Sequence, residues 1–440
     1  MSQAAQKTFA PDFKESPYWW EEAPRPAGEP APLPHSVDVA IVGSGVTGLN
    51  AAIPLARAGR SVLVIEAGAA GEGASTRNAG FLGRTLKHSF GELVTSLGVA
   101  RAVALYQELA MALDHVEALV KFEELDCSFR RCGRFIGAPS LAGYDAMARE
   151  YALRERHLGE PFAMVERAAQ SQEIGTDRFH GGALIPDLAA IDPGRYQLEL
   201  LRVALAAGAA IACKTAVVGV RRDAGSYILR TGRGETVARD VLVATNGYTG
   251  APFGWFRRRL VPFHGYMIAT EKLAPEVVNR ALPSDRTYHD HRHNIQFLRR
   301  SPDGTRVLFG ARTGGPAWSL RTKAERLRRM LAALLPDLAS ARVSHAWTGR
   351  CAATFDLYPH VGCHDGVHYA LGYCFAGMPM GSYLGHKAAL MILGDPGGRT
   401  VFSERDFPTR PLYSGHPWFL PLVMAYFDWQ DRPKGHHEGH

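Results

Sequence analysis

Residues 37–59, VDVAIVGSGVTGLNAAIPLARAG, join an apolar run to a turn with three glycines and then to an apolar segment with helical spacing. The run is typical of a buried strand, and Gly59 is placed to end the helix. In this context Gly43 permits the tight turn, Gly45 lets the backbone approach a pyrophosphate, and Gly48 lets the helix pack close to the sheet. The stretch therefore predicts a dinucleotide-binding turn; chance glycines in an ordinary strand–turn–helix unit are the alternative.

The residues around this turn support the same interpretation. The next predicted strand, 61–68, contains Glu66, whose carboxylate can accept hydrogen bonds from ribose hydroxyls and would repel a 2′-phosphate. Val46 and Thr47 open the helix, where free N–H groups and the helix dipole favour an anion. Pro54 removes one backbone donor inside the helix, so we expect a kink there but no break.

The composition limits the class of protein. A chain of 440 residues predicts two domains, and 46% hydrophobic with 21% charged residues is ordinary for a globular protein. The formal net charge is +7, but the basic residues are dispersed. The densest groups are Arg257–Arg259 and the segment 320–331, which predicts an amphipathic helix with its basic residues in solvent. We therefore expect no nucleic-acid partner, although a basic surface favours anionic substrates.

The termini and cysteines predict a cytoplasmic protein. The six cysteines form no CxxC motif and are interpreted as reduced thiols. The N-terminus has no apolar signal region, and no apolar run reaches the roughly 18 residues that span a bilayer. The apolar stretch WFLPLVMAYF at 418–427 is expected to pack onto the body of the protein, and a shallow membrane contact is the alternative.

The pattern along the chain predicts an α/β fold in which segments of two domains alternate. The stretch 92–180 is expected to be mainly helical, and 256–315 is expected to be extended. We expect an irregular arm at 1–35 and a tail at 401–440. The nucleotide-binding domain is assigned to 36–90, 181–255 and 345–400, and the substrate domain, an α+β unit with a mixed sheet, to 91–180 and 256–344.

Four ordered motifs identify the nucleotide. An NAD domain would usually continue with strand–helix units, whereas this chain continues with GEGASTRNAGFLG at 71–83. That loop resembles the G-A-S-x-R-N-x-G motif of the glycine/D-amino acid oxidase (DAO) superfamily of FAD-dependent oxidoreductases, most strongly that of the gamma-glutamylputrescine oxidases. The stretches 241–250, 347–362 and 370–385 resemble further motifs of the family, in the same order. The likeness covers roughly residues 17–430, including the aromatic SPYWW of the arm.

The resemblance implies a Rossmann-like FAD-binding domain with an interleaved mixed-sheet substrate domain, as in the DAO/glutathione-reductase-like FAD fold. It also implies FAD as the cofactor, held non-covalently because Cys351 does not match the offset of the cysteine that carries the flavin in some relatives. Together with the glycine turn, it predicts the following cofactor contacts: Gly43, Gly45, Val46, Thr47, Gly48, Glu66, Ser75, Arg77, Asn78, Ala79, Gly80, Val217, Thr245, Asn246, Gly247, Gly377, Met378, Met380 and Gly381.

The last motif, ALGYCFAGMPMGSYLG at 370–385, also has a physical interpretation. Pro379 suits the first turn of a helix, and the positive end of that helix would face the flavin edge that becomes negative on reduction. The chain departs here from its relatives, which often have G-Y-S-G-H-G where this chain has GYCFAG. The family histidine is absent and Phe375 makes the region more apolar, so the resemblance leaves the substrate open.

Candidate substrate residues come from the extended region. LVPFHGYMIAT at 260–270 resembles the family's strand in front of the flavin, which makes His264 and Tyr266 candidates, with Gln296 and Arg312 as further ones. An arginine there would clamp a carboxylate, and a surface ion pair is the alternative. A further pattern is the alternating series His289, His291 and His293. In a strand these histidines would share one face, which could hold zinc, although we expect a polar surface without metal.

These features predict FAD-dependent oxidation of a small amine or amino acid by hydride transfer to flavin N5, giving an imine that water hydrolyses to a carbonyl product. The electron acceptor would be oxygen or an unidentified partner. Two alternatives stay open: a hydroxy-acid or polyol-phosphate dehydrogenase on the same fold, and a non-catalytic flavin-binding or RNA-associated protein.

Overall fold

The computed structural model of the chain describes residues 8–26, 32–292, 294–311 and 318–430. The strands, in chain order from β1 to β20, are Phe9–Lys14, Ser36–Val42, Val62–Ile65, Phe81–Leu82, Arg130–Arg131, Arg134–Gly137, Ala163–Val165, Gly182–Ile185, Ala189–Ala190, Ala210–Ala212, Val217–Asp223, Ser226–Thr231, Gly234–Val243, Leu260–Thr270, Thr287–Asp290, Gln296–Arg300, Val307–Ala311, Val343–Thr354, His360–His364 and Val367–Leu371.

Ten α-helices lie between and after these strands in the described ranges. From α1 to α10 they are Val46–Arg57, Phe90–Leu97, Val99–Phe122, Leu141–Leu158, Pro193–Ala206, Gly254–Arg257, Pro275–Ala281, Leu320–Leu334, Gly377–Leu393 and Leu420–Gln430. Single 3-10 turns at Tyr18–Trp20, Ala74–Thr76 and Asn246–Tyr248 lie close to the candidate site.

The first sheet is built on the predicted strand–turn–helix unit. Its strands follow the order β10-β3-β2-β13-β12-β11, with β20 also paired to β13 and β19 to β20. The strands β10, β3, β2 and β13 pair in parallel, and β2 and β3 are mainly apolar because helices cover the sheet. Helices α1 and α9 pack against each other, with Leu49, Ile53 and Leu384 in the shared core.

The second sheet is mixed and has nine strands in the order β1-β18-β14-β17-β16-β15-β6-β8-β7. One face packs against α8, where Tyr266, Ile268 and Leu327 share a core. On the other face Met267 and Trp347 share a core with the Tyr18–Trp19 pair. Because successive residues of a strand point to opposite faces, β14 contributes alternately to these two surfaces.

The predicted fold class, α/β with a mixed second sheet, is confirmed by this architecture. Helix α1 runs from Val46 to Arg57 through Pro54 without a break, as expected. The expectation of an irregular arm was wrong at Phe9–Lys14, which pairs with β18 at the edge of the large sheet. A short edge strand gains its hydrogen bonds from the existing sheet and leaves little periodicity in the sequence.

The stretch 92–180 is mainly helical, as predicted, and also contains the short strands β5, β6 and β7. Strand β6 is buried within the large sheet, whereas β7 lies at its edge and is partly exposed. The assignment of 36–90, 181–255 and 345–400 to the nucleotide-binding domain stays a prediction; β8 and β18, which overlap the last two ranges, lie in the nine-stranded sheet. In the tail, Met424 is buried but Trp418, Leu422, Tyr426 and Trp429 stay exposed, so the apolar stretch packs only partly. Within the described ranges, the helices are too short or too polar to cross a bilayer.

Candidate functional site

The glycine turn excludes side chains at each of its three glycines. Gly43 has a φ of +107°, and a Cβ there would lie 3.0 Å from the Ala244 carbonyl oxygen. A Cβ on Gly48 would lie 1.9 Å from the Gly43 carbonyl oxygen, and one on Gly45 would lie 2.7 Å from Ser75 Oγ. The turn therefore forms a narrow cradle at the start of α1, where the N–H groups of the first turn and the helix dipole favour an anion.

Glu66 is fixed beside this cradle. Its Oε2 accepts hydrogen bonds from the backbone N–H (2.9 Å) and Oγ–H (2.8 Å) of Ser44, and its Oε1 accepts from the Gly68 N–H (3.0 Å). The Thr215 N–H donates to the Glu66 carbonyl oxygen, and Val217 begins β11 two residues later. The acid, the turn and the start of β11 therefore lie at the same edge of the first sheet.

Asn78 braces the loop 73–80 from inside. Its Nδ2 donates to the carbonyl oxygens of Ala74 (3.1 Å) and Ser75 (2.9 Å), and its Oδ1 accepts from the Gly80 N–H (2.8 Å). The same Nδ2 lies 3.1 Å from Sδ of Met378, in the first turn of α9. Asn78 therefore links the loop to the second helix start.

The rest of the loop is attached to the large sheet. Arg77 donates from Nε to the Glu72 carbonyl oxygen (2.7 Å) and from Nη1 to that of Thr348 (3.2 Å), and burial lowers the pKa of its guanidinium. Trp347 Nε1 donates to the Arg77 carbonyl oxygen (3.0 Å), and Arg299 Nη1 donates to that of Ala79 (3.3 Å). These bonds fix the loop between the two sheets.

The motifs at 241–250 and 370–385 also lie close to the starts of α1 and α9. The Asn246 side chain accepts a hydrogen bond from the Gly372 N–H (3.0 Å), which joins the turn after β13 to the loop before α9. A Cβ on Gly381 would lie 3.0 Å from Thr47 Oγ1, and one on Gly247 would lie 2.6 Å from the carbonyl oxygen of Cys351. Of the remaining predicted contacts, Thr245 follows β13, Gly377 begins α9 and Met380 is buried in the core.

Sequence reasoning did not assign the side chains that support this arrangement. Trp19 Nε1 donates to the Asn78 carbonyl oxygen (2.8 Å), and Trp20 Nε1 donates to Thr76 Oγ1 (3.0 Å). The Tyr373 hydroxyl lies 2.8 Å from Thr47 Oγ1, and Gln197 Nε2 donates to the carbonyl oxygen of Ser44 (3.2 Å). The only signal for the tryptophans was an aromatic cluster within a proline-rich arm.

The substrate-side candidates lie on the face of the large sheet that carries α8. Lys323 Nζ donates to the Tyr266 hydroxyl, and His264 Nδ1 lies 3.2 Å from Thr348 Oγ1. Gln296 pairs with Ala311, which also pairs with Tyr266, so its side chain shares that face. The structure therefore does not place these candidates on the face that meets the loop 73–80.

Arg312, the remaining substrate-side candidate, lies outside the described residues. Lys323 was expected in solvent with the other basic residues of α8, but it is buried beneath Tyr266, with Nζ 3.9 Å from the ring centroid. The hydroxyl and the aromatic face stabilise the ammonium, which explains this departure from simple amphipathicity.

The opposite face of β14 carries Phe263, Gly265 and Met267 towards the loop. A Cβ on Gly265 would have no atom within 4 Å, whereas one on its cross-strand partner Gly349 would lie 3.1 Å from Arg77 Cβ. An open space, here called the gap, therefore lies above Gly265, beside the contact between Gly349 and the loop.

The histidine series does not form the expected alternating face. Strand β15 ends at Asp290, so His291 lies beyond the strand, and His293 is outside the described residues. The described part of the chain contains no group of three His, Cys, Asp or Glu side chains placed to hold a metal ion. Burial lowers the pKa of His289 to about 3, with added repulsion from Arg134, His291 and Lys87.

The buried histidines predict a stability that depends on pH. Burial also lowers the pKa of His115, to about 4, below the 6.5 expected for an unfolded chain. The unfolded state then binds more protons below about pH 6.5, so the free energy of unfolding falls as the pH decreases towards these values. Denaturant titrations at pH 7 and 5 should show a loss of about 2 kcal/mol for each such histidine. His289→Asn should flatten this dependence, whereas replacing the exposed His416 by Asn should not; equal slopes for all three proteins would contradict the assignment.

The geometry of the candidate site indicates the class of protein. A glycine cradle at the start of α1, an acid directly after β3 and a second helix start joined through Asn78 make a two-sheet fold with a dinucleotide-binding turn. Residues 38–391 match the family model for FAD dependent oxidoreductases, DAO. The chain therefore belongs to the DAO family and is an FAD-dependent oxidoreductase.

Individual relatives extend over nearly the whole chain. A probable oxidoreductase, OrdL, of Rhizobium meliloti (strain 1021) is 29% identical over 420 residues, 94% of this chain and 96% of its own. The gamma-glutamylputrescine oxidoreductase of Escherichia coli (strain K12) is 26% identical over 90% of this chain and 93% of its own. The crystal structure of glycine oxidase from Geobacillus kaustophilus has a similar fold, with a TM-score of 0.71 and 23% identity over 86% of this chain and 99% of that chain.

Proposed function

We propose that this chain oxidises a small amine or amino acid, with FAD as the oxidant. Relatives named gamma-glutamylputrescine oxidoreductase and glycine oxidase support this class of substrate. The observation that carries the proposal is the gap above Gly265, because it lies beside the loop with the family motif, on the sheet that would face the substrate.

The residues present fit FAD. The cradle at Gly45, which a Cβ would fill, suits a close-approaching diphosphate, and Glu66 suits the ribose hydroxyls. We propose that the loop 73–80 holds the rest of the molecule through Ser75 and Asn78. When bound, the flavin accepts a hydride at N5 from the carbon next to the substrate nitrogen.

The start of α9 would supply the main electrostatic contribution. Its first turn contains Met378 and Pro379, and Asn78 contacts it from the loop. The positive end of a helix of 17 residues favours negative charge at its N-terminus, which a reduced flavin would carry.

The walls of the gap would hold the substrate and exclude water. The substrate nitrogen must be neutral, so that its lone pair can form the C=N bond as the hydride leaves the neighbouring carbon. Water then adds to the imine, and a carbonyl compound and an amine or ammonia are released. Apolar neighbours such as Phe263 and Met267 favour the neutral amine over the ammonium form, so this reaction needs no separate strong base.

Anaerobic flavin reduction tests the proposed activity. The purified protein is mixed with polyamines, N-methyl amino acids, D-amino acids and hydroxy acids, and flavin bleaching is followed by absorbance; repeats under air and with a dye compare electron acceptors. We expect bleaching by at least one amine or amino acid. Bleaching by hydroxy acids alone would contradict the proposal, and no bleaching by any compound would favour a non-catalytic flavoprotein.

We also propose that the flavin is held without a covalent bond. Cys351 is half-buried in β18, on the same sheet face as its cross-strand partner Phe263, and its offset differs from that of flavin-bearing cysteines in relatives. Acid precipitation should release all the FAD into the supernatant, and the intact mass of the pellet should equal that of the unmodified chain. A mass increase equal to FAD, abolished in Cys351→Ser, would contradict this prediction.

A further inference from the structure

Gly265 forms the floor of the gap, and an aromatic–cation stack lies at its Phe263 end. Gly265 has no side chain to fill the space between Phe263 and Met267 on β14. The Phe375 ring, from the loop before α9, packs against Phe263 with centroids 4.5 Å apart, and Lys87 Nζ lies 4.4 Å from the Phe375 centroid. The stack therefore covers the end of the gap at Phe263.

A second aromatic pair lies further across the same face. Phe297 on β16 fills the space above Gly310, where a Cβ would lie 2.3 Å from the Phe297 ring. Its centroid is 6.1 Å from that of Phe81, at the end of the loop 73–80. Because Phe297 pairs with Gly310, and Gly310 with Met267, this second pair lies at the Met267 end of the same sheet face.

The backbone holds Phe375 in an unusual conformation. Cys374 and Phe375 have φ values of +48° and +82°, in the left-handed region that favours glycine. Two such residues in succession are strained, and strain of this kind is concentrated at functional sites. The loop therefore presents Phe375, 41% exposed, from a backbone conformation that suits the glycine often found there in the family motif.

Lys87 is the cation that reaches the stack, and Asp356, the acid that acts with it on Cys374, is bound by His360 and Arg405. Lys87 is exposed and lies at the rim of the gap through the contact with Phe375. His289 lies on the same face of the sheet, since it pairs with Phe297. The charged groups that act on it are Arg134, His291 and Lys87, which lower its pKa. This field attracts a carboxylate and repels a second ammonium group.

We propose that the substrates are amino acids with an apolar side chain or N-substituent, and not diamines. The carboxylate would bind Lys87, and the apolar group would lie between Phe263, Phe297 and Phe375. This inference rests on the proposed function, because it assigns the substrate class of the same site.

Lys87→Met tests the carboxylate contact, since methionine keeps an unbranched apolar stem and removes the charge. Benzoate is titrated into the holoenzyme and followed by flavin absorbance and calorimetry. Anaerobic reduction by D- and L-phenylalanine and their N-methyl forms, and by phenethylamine and putrescine, gives an apparent Kd and a limiting rate. We expect the benzoate and amino-acid Kd to rise about 10- to 100-fold in Lys87→Met, as for a lost charged hydrogen bond, with a larger effect on Kd than on the limiting rate. Lys87→Arg should restore most of the affinity.

Lys272→Met, at an exposed lysine, is the matched control and should bind benzoate like the wild type. Unchanged benzoate binding in Lys87→Met, or reduction by putrescine in preference to every amino acid, would overturn the inference. If no amine or amino acid bleaches the flavin, the proposed function fails, but the benzoate titration still decides the role of Lys87.

Phe375→Gly tests the apolar wall independently. Glycine relieves the left-handed conformation, so the variant should fold at least as well as the wild type. We expect the apparent Kd for phenylalanine to rise about tenfold or more, as expected for the loss of an apolar contact area, while that for alanine changes less. Equal changes for both amino acids would contradict a specificity role for Phe375.

Discussion

Gly45→Ala should purify without bound flavin. The added Cβ would lie 2.7 Å from Ser75 Oγ, the atom that accepts a hydrogen bond from the Val46 N–H (3.0 Å). Moving Ser75 away would break this bond, and leaving it in place would displace the turn. In either case the methyl group occupies the space through which a diphosphate would approach the backbone. We expect the Kd for FAD to rise at least about 100-fold, equivalent to about 2.7 kcal/mol.

The measurement is the ratio of flavin to protein absorbance after purification, followed by reconstitution with a titration of FAD. Gly254→Ala is the matched control, because a Cβ on this residue at the start of α6 would have no atom within 4 Å. It should keep full flavin content. If Gly45→Ala retained flavin with an unchanged Kd, the turn after β2 would not be the diphosphate site.

The strand–turn–helix unit could be predicted from sequence because its determinants are local. The apolar run, the glycines and the acid lie within 30 residues, and each is tied to the geometry of the turn. The same holds for α8, whose leucines repeat at helical spacing. Lys323 shows the limit of such reasoning, because its burial depends on the Tyr266 hydroxyl, 57 residues away.

The face of β14 that meets the loop could not be predicted from sequence. A period of two fixes that His264 and Tyr266 share a face, but it does not say which element covers that face. Helix α8 covers Tyr266 on that face, whereas on the opposite face Gly265 has open space above it and its partner Gly349 meets the loop. The sequence therefore favoured the polar residues His264 and Tyr266 as substrate contacts, whereas the gap in the structure lies above Gly265.

The support of the loop 73–80 was hidden for a different reason. It comes from the arm, whose Trp19 contacts Asn78 across 59 positions of sequence. Contacts at such separation leave no periodic pattern, and the surrounding prolines and acids favour an irregular segment.

Trp19→Ala should therefore have the largest effect on stability. The side chain is fully buried, packs in one core with Met267 and Trp347, and donates from Nε1 to the Asn78 carbonyl oxygen. Truncation leaves a cavity between the loop and the large sheet and an unpaired carbonyl group. Replacements of this kind reduce the free energy of unfolding by about 3–5 kcal/mol. Since Asn78 also braces the loop, FAD affinity should fall as well.

Guanidinium chloride titrations at a fixed FAD concentration, compared with titrations of the apoprotein, separate the loss of packing from the loss of ligand stabilisation. Trp19→Phe keeps most of the packing but removes the donor, so it should lose about 1–2 kcal/mol. Trp418→Ala, at a tryptophan with 67% exposure, should change the free energy of unfolding by no more than about 0.5 kcal/mol. If Trp19→Ala behaved like Trp418→Ala, the arm would be an appendage and the loop would be held by the large sheet alone.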